Sequence, residues 1–303
     1  MRRLKVQYLQ GTKKSQVVLT LVLIATLVCV SFVLLWFYEN TNDKQTDTDI
    51  IPVSESQKSE ETTAVIQPET QTKQFDSQTL QNVVEEWASP KLTDSTRASV
   101  VLMDEEGQLI VGFKIDSEYF AASIYKLFVA YEGYRQVDAN EVNKDESYQG
   151  GRTRIECLDV MLRDSDSPCV EKLWDELGKQ NLTDTLIAYG IDNTSMTGLS
   201  TTAEDAGKML AKISKGDGLS ENSRSLYLSS METQDALYRR GFPSGFSNGV
   251  TVYNKVGWNE QKEWHDVGII KTSDGRKLIY AVMTEGVGSK QIAELGRKIE
   301  ATF

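Results

Sequence analysis

Histidine, cysteine and proline are scarce: one, three and five among 303 residues. With His265 as the single imidazole, the chain lacks the ligand set of a zinc centre. Cys29 falls inside an apolar run, so only Cys157 and Cys169 can act together in a folded domain. Basic charge is also short, 33 Lys and Arg against 44 Asp and Glu. The net charge of -11 divides into +5 over residues 1–38, from Arg2, Arg3, Lys5, Lys13 and Lys14, and -16 over the remainder. So acidic a chain lacks the basic face that nucleic-acid phosphates need. It suits a solvated extracellular surface. Large apolar side chains are few in residues 39–75, which are rich in Thr, Gln, Ser, Asp and Glu. Such a stretch cannot bury enough surface to order itself and reads as a flexible stalk.

What is present begins with the apolar stretch at residues 16–38, broken only by Thr20, Thr26, Cys29 and Ser31 after Val17. About 20 such residues cross a bilayer as a helix. Basic residues precede it and Glu39, Asp43, Asp47 and Asp49 follow, so residues 1–15 are expected in the cytoplasm and the rest outside the cell. A cleaved signal peptide is the rival reading. The run is long for that role and lacks a small-x-small cleavage site, which favours an uncleaved single-pass anchor in the cell membrane.

The folded domain is expected over residues 76–303. Asp76 or Ser77 can cap a helix with Leu80, Val83, Val84 and Trp87 on one face, ended by Pro90. Ser99 to Met103 and Leu109 to Phe113 read as strands around the turn Asp104-Glu105-Glu106-Gly107. From Ser123 to about Met231 the pattern is helical. Strands return at Val250 to Asn254, His265 to Lys271 and Lys277 to Thr284, and Ser289 to Ala301 closes the chain as an amphipathic helix. That order predicts an α/β (α+β) domain. An antiparallel sheet is covered by the N- and C-terminal helices, with an all-helical lobe of about residues 123–231 inserted. The cleft between lobes is the natural site.

Ser123-Ile124-Tyr125-Lys126 opens the helical region and is the one place where a Lys follows a Ser by three residues. With Ser123 in the first helical turn, Lys126 lies one turn on, on the same face. An amine there can take the hydroxyl proton, and the positive helix end favours the resulting alkoxide. The plain alternative is a Ser N-cap with a solvated Lys.

Three motifs in order resemble those of the penicillin-recognising serine hydrolases, nearest to class A β-lactamases. Ser123-Ile124-Tyr125-Lys126 matches S-x-x-K, Ser165-Asp166-Ser167 stands for S-D-N, and Lys255-Val256-Gly257 stands for K-T-G. Thr201-Thr202-Ala203-Glu204-Asp205 and Arg240-Gly241-Phe242-Pro243 resemble the T-T-x-x-D and R-x-L-P stretches. The resemblance covers roughly residues 76–303 and implies acyl transfer. It gives Ser123 as nucleophile, Lys126 as base or relay, Ser165 as the proton donor to the leaving nitrogen and Lys255 as the holder of the substrate carboxylate. The oxyanion hole would be the N–H groups of Ser123 and Trp258. Ser167, Val256 and Gly257 would line the substrate, and Asp166 would tie its loop. The implied partners are a β-lactam or a peptidoglycan D-Ala-D-Ala peptide, and no cofactor is implied.

The departures bear on turnover. Ser167 replaces an Asn and shortens the reach. Val256 replaces a hydroxyl residue, and a hydrogen bond to a charged group is worth about 1.5–3 kcal/mol. No Glu lies between Glu176 and Glu204, the interval in which class A enzymes carry their deacylating Glu. Acylation with weak deacylation is therefore expected, and a non-catalytic wall-binding or sensor domain is the alternative. Gly245-Phe246-Ser247-Asn248-Gly249 matches a nucleophile elbow in letters alone, and His265 on a strand beside Asp266 reads as structural. Cys157 and Cys169 flank the Ser165 turn and are either bonded or two buried thiols.

Overall fold

The structure, a computed structural model, describes residues 75–247, 249–260 and 262–303. The expectations for residues 1–15, 16–38 and 39–74 lie outside them. Among the described residues no helix is long and apolar enough to cross a membrane. Phe75, placed by sequence at the end of the stalk, packs its ring against that of Phe303.

Helix α1 (Ser77–Ala88) starts where the Asp76 carboxylate accepts from the amides of Gln78 and Thr79. It buries Leu80, Val84 and Trp87, and a 3-10 turn holding Pro90 follows. Strands β1 (Arg97–Met103) and β2 (Leu109–Phe113) form the hairpin. Three long strands come late in the chain: β7 (Thr251–Trp258), β8 (Trp264–Lys271) and β9 (Lys277–Glu285). The sheet order is β2-β1-β9-β8-β7, antiparallel at every pairing. Helix α8 (Ser289–Glu300) ends the fold.

Strand alternation divides the interior into two cores. Val101 and Met103 of β1, with Ile279, Ala281 and Met283 of β9, face the helical lobe. Val100, Leu102, Leu278, Tyr280 and Val282 face α1 and α8. The lobe is built on α2 (Tyr125–Asp138), whose first ten residues are all buried. A helix enclosed on every side is a central one. Around it pack α3 (Arg154–Arg163), α4 (Ser167–Leu177), α5 (Lys179–Ala188), α6 (Ala203–Lys215) and α7 (Glu221–Glu232).

The lobe is not wholly helical. A short hairpin, β4 (Ser147–Gln149) with β5 (Arg152–Thr153), interrupts it. A two-residue strand β6 (Ser200–Thr201) pairs with β3 (Tyr119–Phe120). Pieces of two or three residues have no alternation that a sequence can display. Strand β7 also runs four residues beyond the expected Asn254, so Lys255, Val256 and Gly257 all lie on it.

Candidate active site

Ser123 lies in a 3-10 turn, Ala122–Ile124, that runs straight into α2. The N-cap residue of α2 is Ile124, with no side-chain cap, so the plain capping role for Ser123 is not the one observed. Ala122, immediately before Ser123, has φ 44°, a left-handed backbone costly for a residue with a Cβ. Ser165 (φ 55°) and Leu199 (φ 51°) share this conformation, and the Leu199 carbonyl accepts the Ala121 amide at 2.8 Å. Leu199 is thereby tied to the turn that carries Ser123.

The sheet supplies the opposite wall through β7. A Cβ added to Gly257 would lie 2.9 Å from the Ser123 amide nitrogen and 3.0 Å from that of Ile124. Glycine alone lets the strand press against the turn that carries Ser123. The lobe supplies the turn before α4. Asp166 caps that helix, accepting the Cys169 amide at 2.9 Å, so the N-cap is Asp166 and not Ser165. The left-handed turn frees Ser165 for the crevice. Lys126 Nζ donates to the Ser165 carbonyl, to Ser165 Oγ at 3.2 Å and to Ser167 Oγ at 3.4 Å. Lys255 Nζ donates to the same Ser165 Oγ at 3.1 Å and to the Val256 carbonyl at 3.0 Å. One hydroxyl therefore bridges two amines that stand 129 positions apart in the chain.

Both amines are buried, Lys126 2% exposed and Lys255 not at all. Lysines so placed resist carrying charge. Burial pulls Lys126 down to about 8 against the opposing charges of Asp166 and Glu171. Burial and then repulsion by Lys126 bring Lys255 down to about 7. A pair that sheds a proton near neutrality, bridged by a hydroxyl, can accept a proton from one group and deliver it to another.

Ser167 is exposed beside this bridge, whereas the Val256 side chain is fully buried and offers the crevice only its carbonyl. Trp258 is stacked on Trp264 at 5.1 Å and meets Tyr238 at 5.5 Å, and Arg240 lies over Trp264 at 4.5 Å. This aromatic wall beside Lys255 has no periodic signature in the sequence. Behind β7, Asp266 is sealed from solvent, accepting from the Phe242 amide (2.8 Å), Tyr280 hydroxyl (2.9 Å) and Asn254 amide (3.2 Å). Burial still pushes its carboxyl up to about 7. His265 is equally buried. Its Nδ1 accepts the Thr284 amide at 3.1 Å, so Nε2 carries the proton and donates to the Phe120 carbonyl at 2.8 Å. Burial holds it down to about 4, a neutral structural imidazole. Ser247, of the elbow-like letters, is exposed and bonds Glu300 at 2.6 Å. Cys157 and Cys169 form a disulfide between α3 and α4, bracketing the Ser165 turn. Among the described residues no His, Cys, Asp and Glu cluster is arranged to hold a metal.

A family model described as "Beta-lactamase enzyme family" matches residues 77–303. Among solved structures, the chain is similar to PBP-A at 21% identity, covering 73% of this chain and 96% of that one, TM-score 0.65. A mutant of PBP-A, solved as an acyl-enzyme complex with penicillin G, matches at 22% identity over 75% and 96%, TM-score 0.66. A class A beta-lactamase from Bacteroides cellulosilyticus matches at 14% identity over 76% and 99%, TM-score 0.67. At such identities the structures establish likeness of fold. A search of curated proteins found no match.

Proposed function

The chain belongs to the beta-lactamase enzyme family and is a serine hydrolase, and on that premise we propose that it acylates itself at Ser123 with β-lactams and with D-Ala-D-Ala peptides of the cell wall. Ser123 Oγ attacks the lactam or peptide carbonyl, and its proton passes to the Lys126 amine. The oxyanion that forms is held by the N–H groups of Ser123 and Trp258. Ser165, between the two amines, hands a proton to the departing nitrogen. Lys255, while protonated, holds the substrate carboxylate. The observation carrying this reading is the Ser165 hydroxyl shared by Lys126 and Lys255. The penicillin G acyl-enzyme of the PBP-A mutant is the support for substrate class.

Loss of the acyl group is slower than its formation: no Glu stands between Glu176 and Glu204, so a base for the attacking water has to come from another element. Residues 16–38 anchor the chain with the domain outside the cell, and residues 39–74 are the stalk. Detergent, and not alkaline carbonate, should then release the full chain from membranes.

Time-resolved intact mass with penicillin G tests the activity. The expected result is a gain of one penicillin mass that outlasts the free drug. Rapid drug loss with no adduct indicates an efficient lactamase, and no reaction indicates a binding domain that has lost the chemistry.

A further inference from the structure

An acyl-enzyme is released only when water attacks its ester, and the water proton then needs an acceptor. The carboxylates around the crevice are mostly engaged. Asp166 caps α4, and Asp164 is paired with Arg163. Glu176 is held by Arg154 and Lys172, and Glu204 by Lys208. Asp266 is sealed behind β7. Glu171 and Asp192 differ: both are exposed and neither has a hydrogen-bond or ion-pair partner among the described residues, and Glu171 is the one on the helix that carries Ser167.

Helical spacing fixes where Glu171 stands. Ser167, Glu171 and Trp174 are at i, i+4 and i+7 of α4 and form one stripe. The stripe's first member receives Lys126 Nζ at 3.4 Å, and its last packs on the Tyr125 ring at 4.8 Å. Glu171 lies between those contacts, facing the two residues Tyr125 and Lys126 that follow the Ser123 turn. Its charge is felt by both. It opposes the burial that pulls Lys126 down, and it adds to the burial that pushes Tyr125 up to about 12.

We infer that the Glu171 carboxylate is the general base for the water that hydrolyses the Ser123 acyl-enzyme, an inference that rests on the acylation proposed above. The water oxygen bonds to the acyl carbon as Glu171 takes one water proton. The tetrahedral adduct collapses, the bond from carbon to Ser123 Oγ breaks, and its electron pair stays on Oγ. Oγ recovers the proton from Glu171, and the carboxylic acid product leaves. Reached from α4 and not from the loop 190–200, this base sits on a rigid helix.

Native protein, Glu171→Gln and Glu171→Asp are acylated with penicillin G, freed of excess drug and followed by intact mass. Glu171→Gln should lengthen the adduct lifetime about a hundredfold, while an adduct still forms and the native melting midpoint is kept. Glu171→Asp should fall between. Equal lifetimes in native protein and Glu171→Gln would overturn the inference while leaving acylation intact. Failure of the native protein to form any adduct would instead remove the acylation reading, and the inference with it.

Discussion

Gly257 shows how much of this site rests on a missing side chain. Its Cα backs onto the amides of Ser123 and Ile124, and a Cβ would sit 2.9 and 3.0 Å from those backbone nitrogens. Backbone cannot swing aside as a long side chain can, so Gly257→Ala must part β7 from the turn that carries Ser123. A displacement of about 1 Å is worth roughly a hundredfold in rate. Adduct formation with penicillin should slow by about that factor, read by quenched mass spectrometry, with circular dichroism unchanged. The two lysines make a second residue-scale prediction. Below about 7 both are charged and neither can take the Ser123 proton. Above about 8 both are neutral and no ammonium remains for the substrate carboxylate. The working form carries one proton over the pair, on Lys255 with Lys126 neutral; it is the minor one-proton arrangement, because Lys126 titrates higher, but it follows the same one-proton population, so the acylation rate should rise with pH, peak between about 7 and 8 and fall again. A rate that climbs steadily to pH 10 would contradict the sharing of one proton.

The decisive elements are the two short turns that carry Ser123 and Ser165 and the strand between them. The Ser165 turn is braced by the disulfide from Cys157 to Cys169, which are 12 positions apart. Closing a loop of this size is worth about 3 kcal/mol. Replacing both cysteines by Ser should lower the melting midpoint by roughly 6–12 °C for a domain of this size. Calorimetry of native and double-variant protein checks it. On the far side of β7, Asp266 ties Asn254, Tyr280 and the Phe242 amide together. Asp266→Ala leaves three buried donors unpaired at a cost of at least about 3 kcal/mol, measurable by urea unfolding.

These elements were unequally legible from sequence. Helix α6 (Ala203–Lys215) was readable to the residue because Thr202 caps it, apolar positions recur and Gly216 stops it. The end of β7 was not, since a buried Lys and a Gly read as loop while burying them serves the site. The hairpin 147–153 was too short to show a period. The aim of Ser165 depended on a backbone φ of 55° that letters do not encode.

At the scale of the whole domain, one sheet has a core on each face, and the crevice lies where the lobe meets the edge strand β7. Near-continuous apolar runs along β1 and β9 made that plan legible, because each strand must satisfy both cores at once. Ser123, Lys126, Ser165 and Lys255 could be listed from motifs in order. The meeting of Lys126, Ser165 and Lys255, and the seating of the Ser123 backbone against Gly257, could not, because they depend on β7 approaching and on a turn that aims one hydroxyl at two amines. The aromatic wall of Tyr238, Trp258 and Trp264 escaped because its members come from separate segments. The account's central claim is that this convergence makes Ser123 a nucleophile. Peptide mapping of the protein after reaction with penicillin G tests it most directly. The account predicts one acyl group, on the peptide containing Ser123, absent from Ser123→Ala and formed at least a hundredfold more slowly in Lys126→Ala. An acyl group on any other residue, or an undiminished rate in Lys126→Ala, would contradict it.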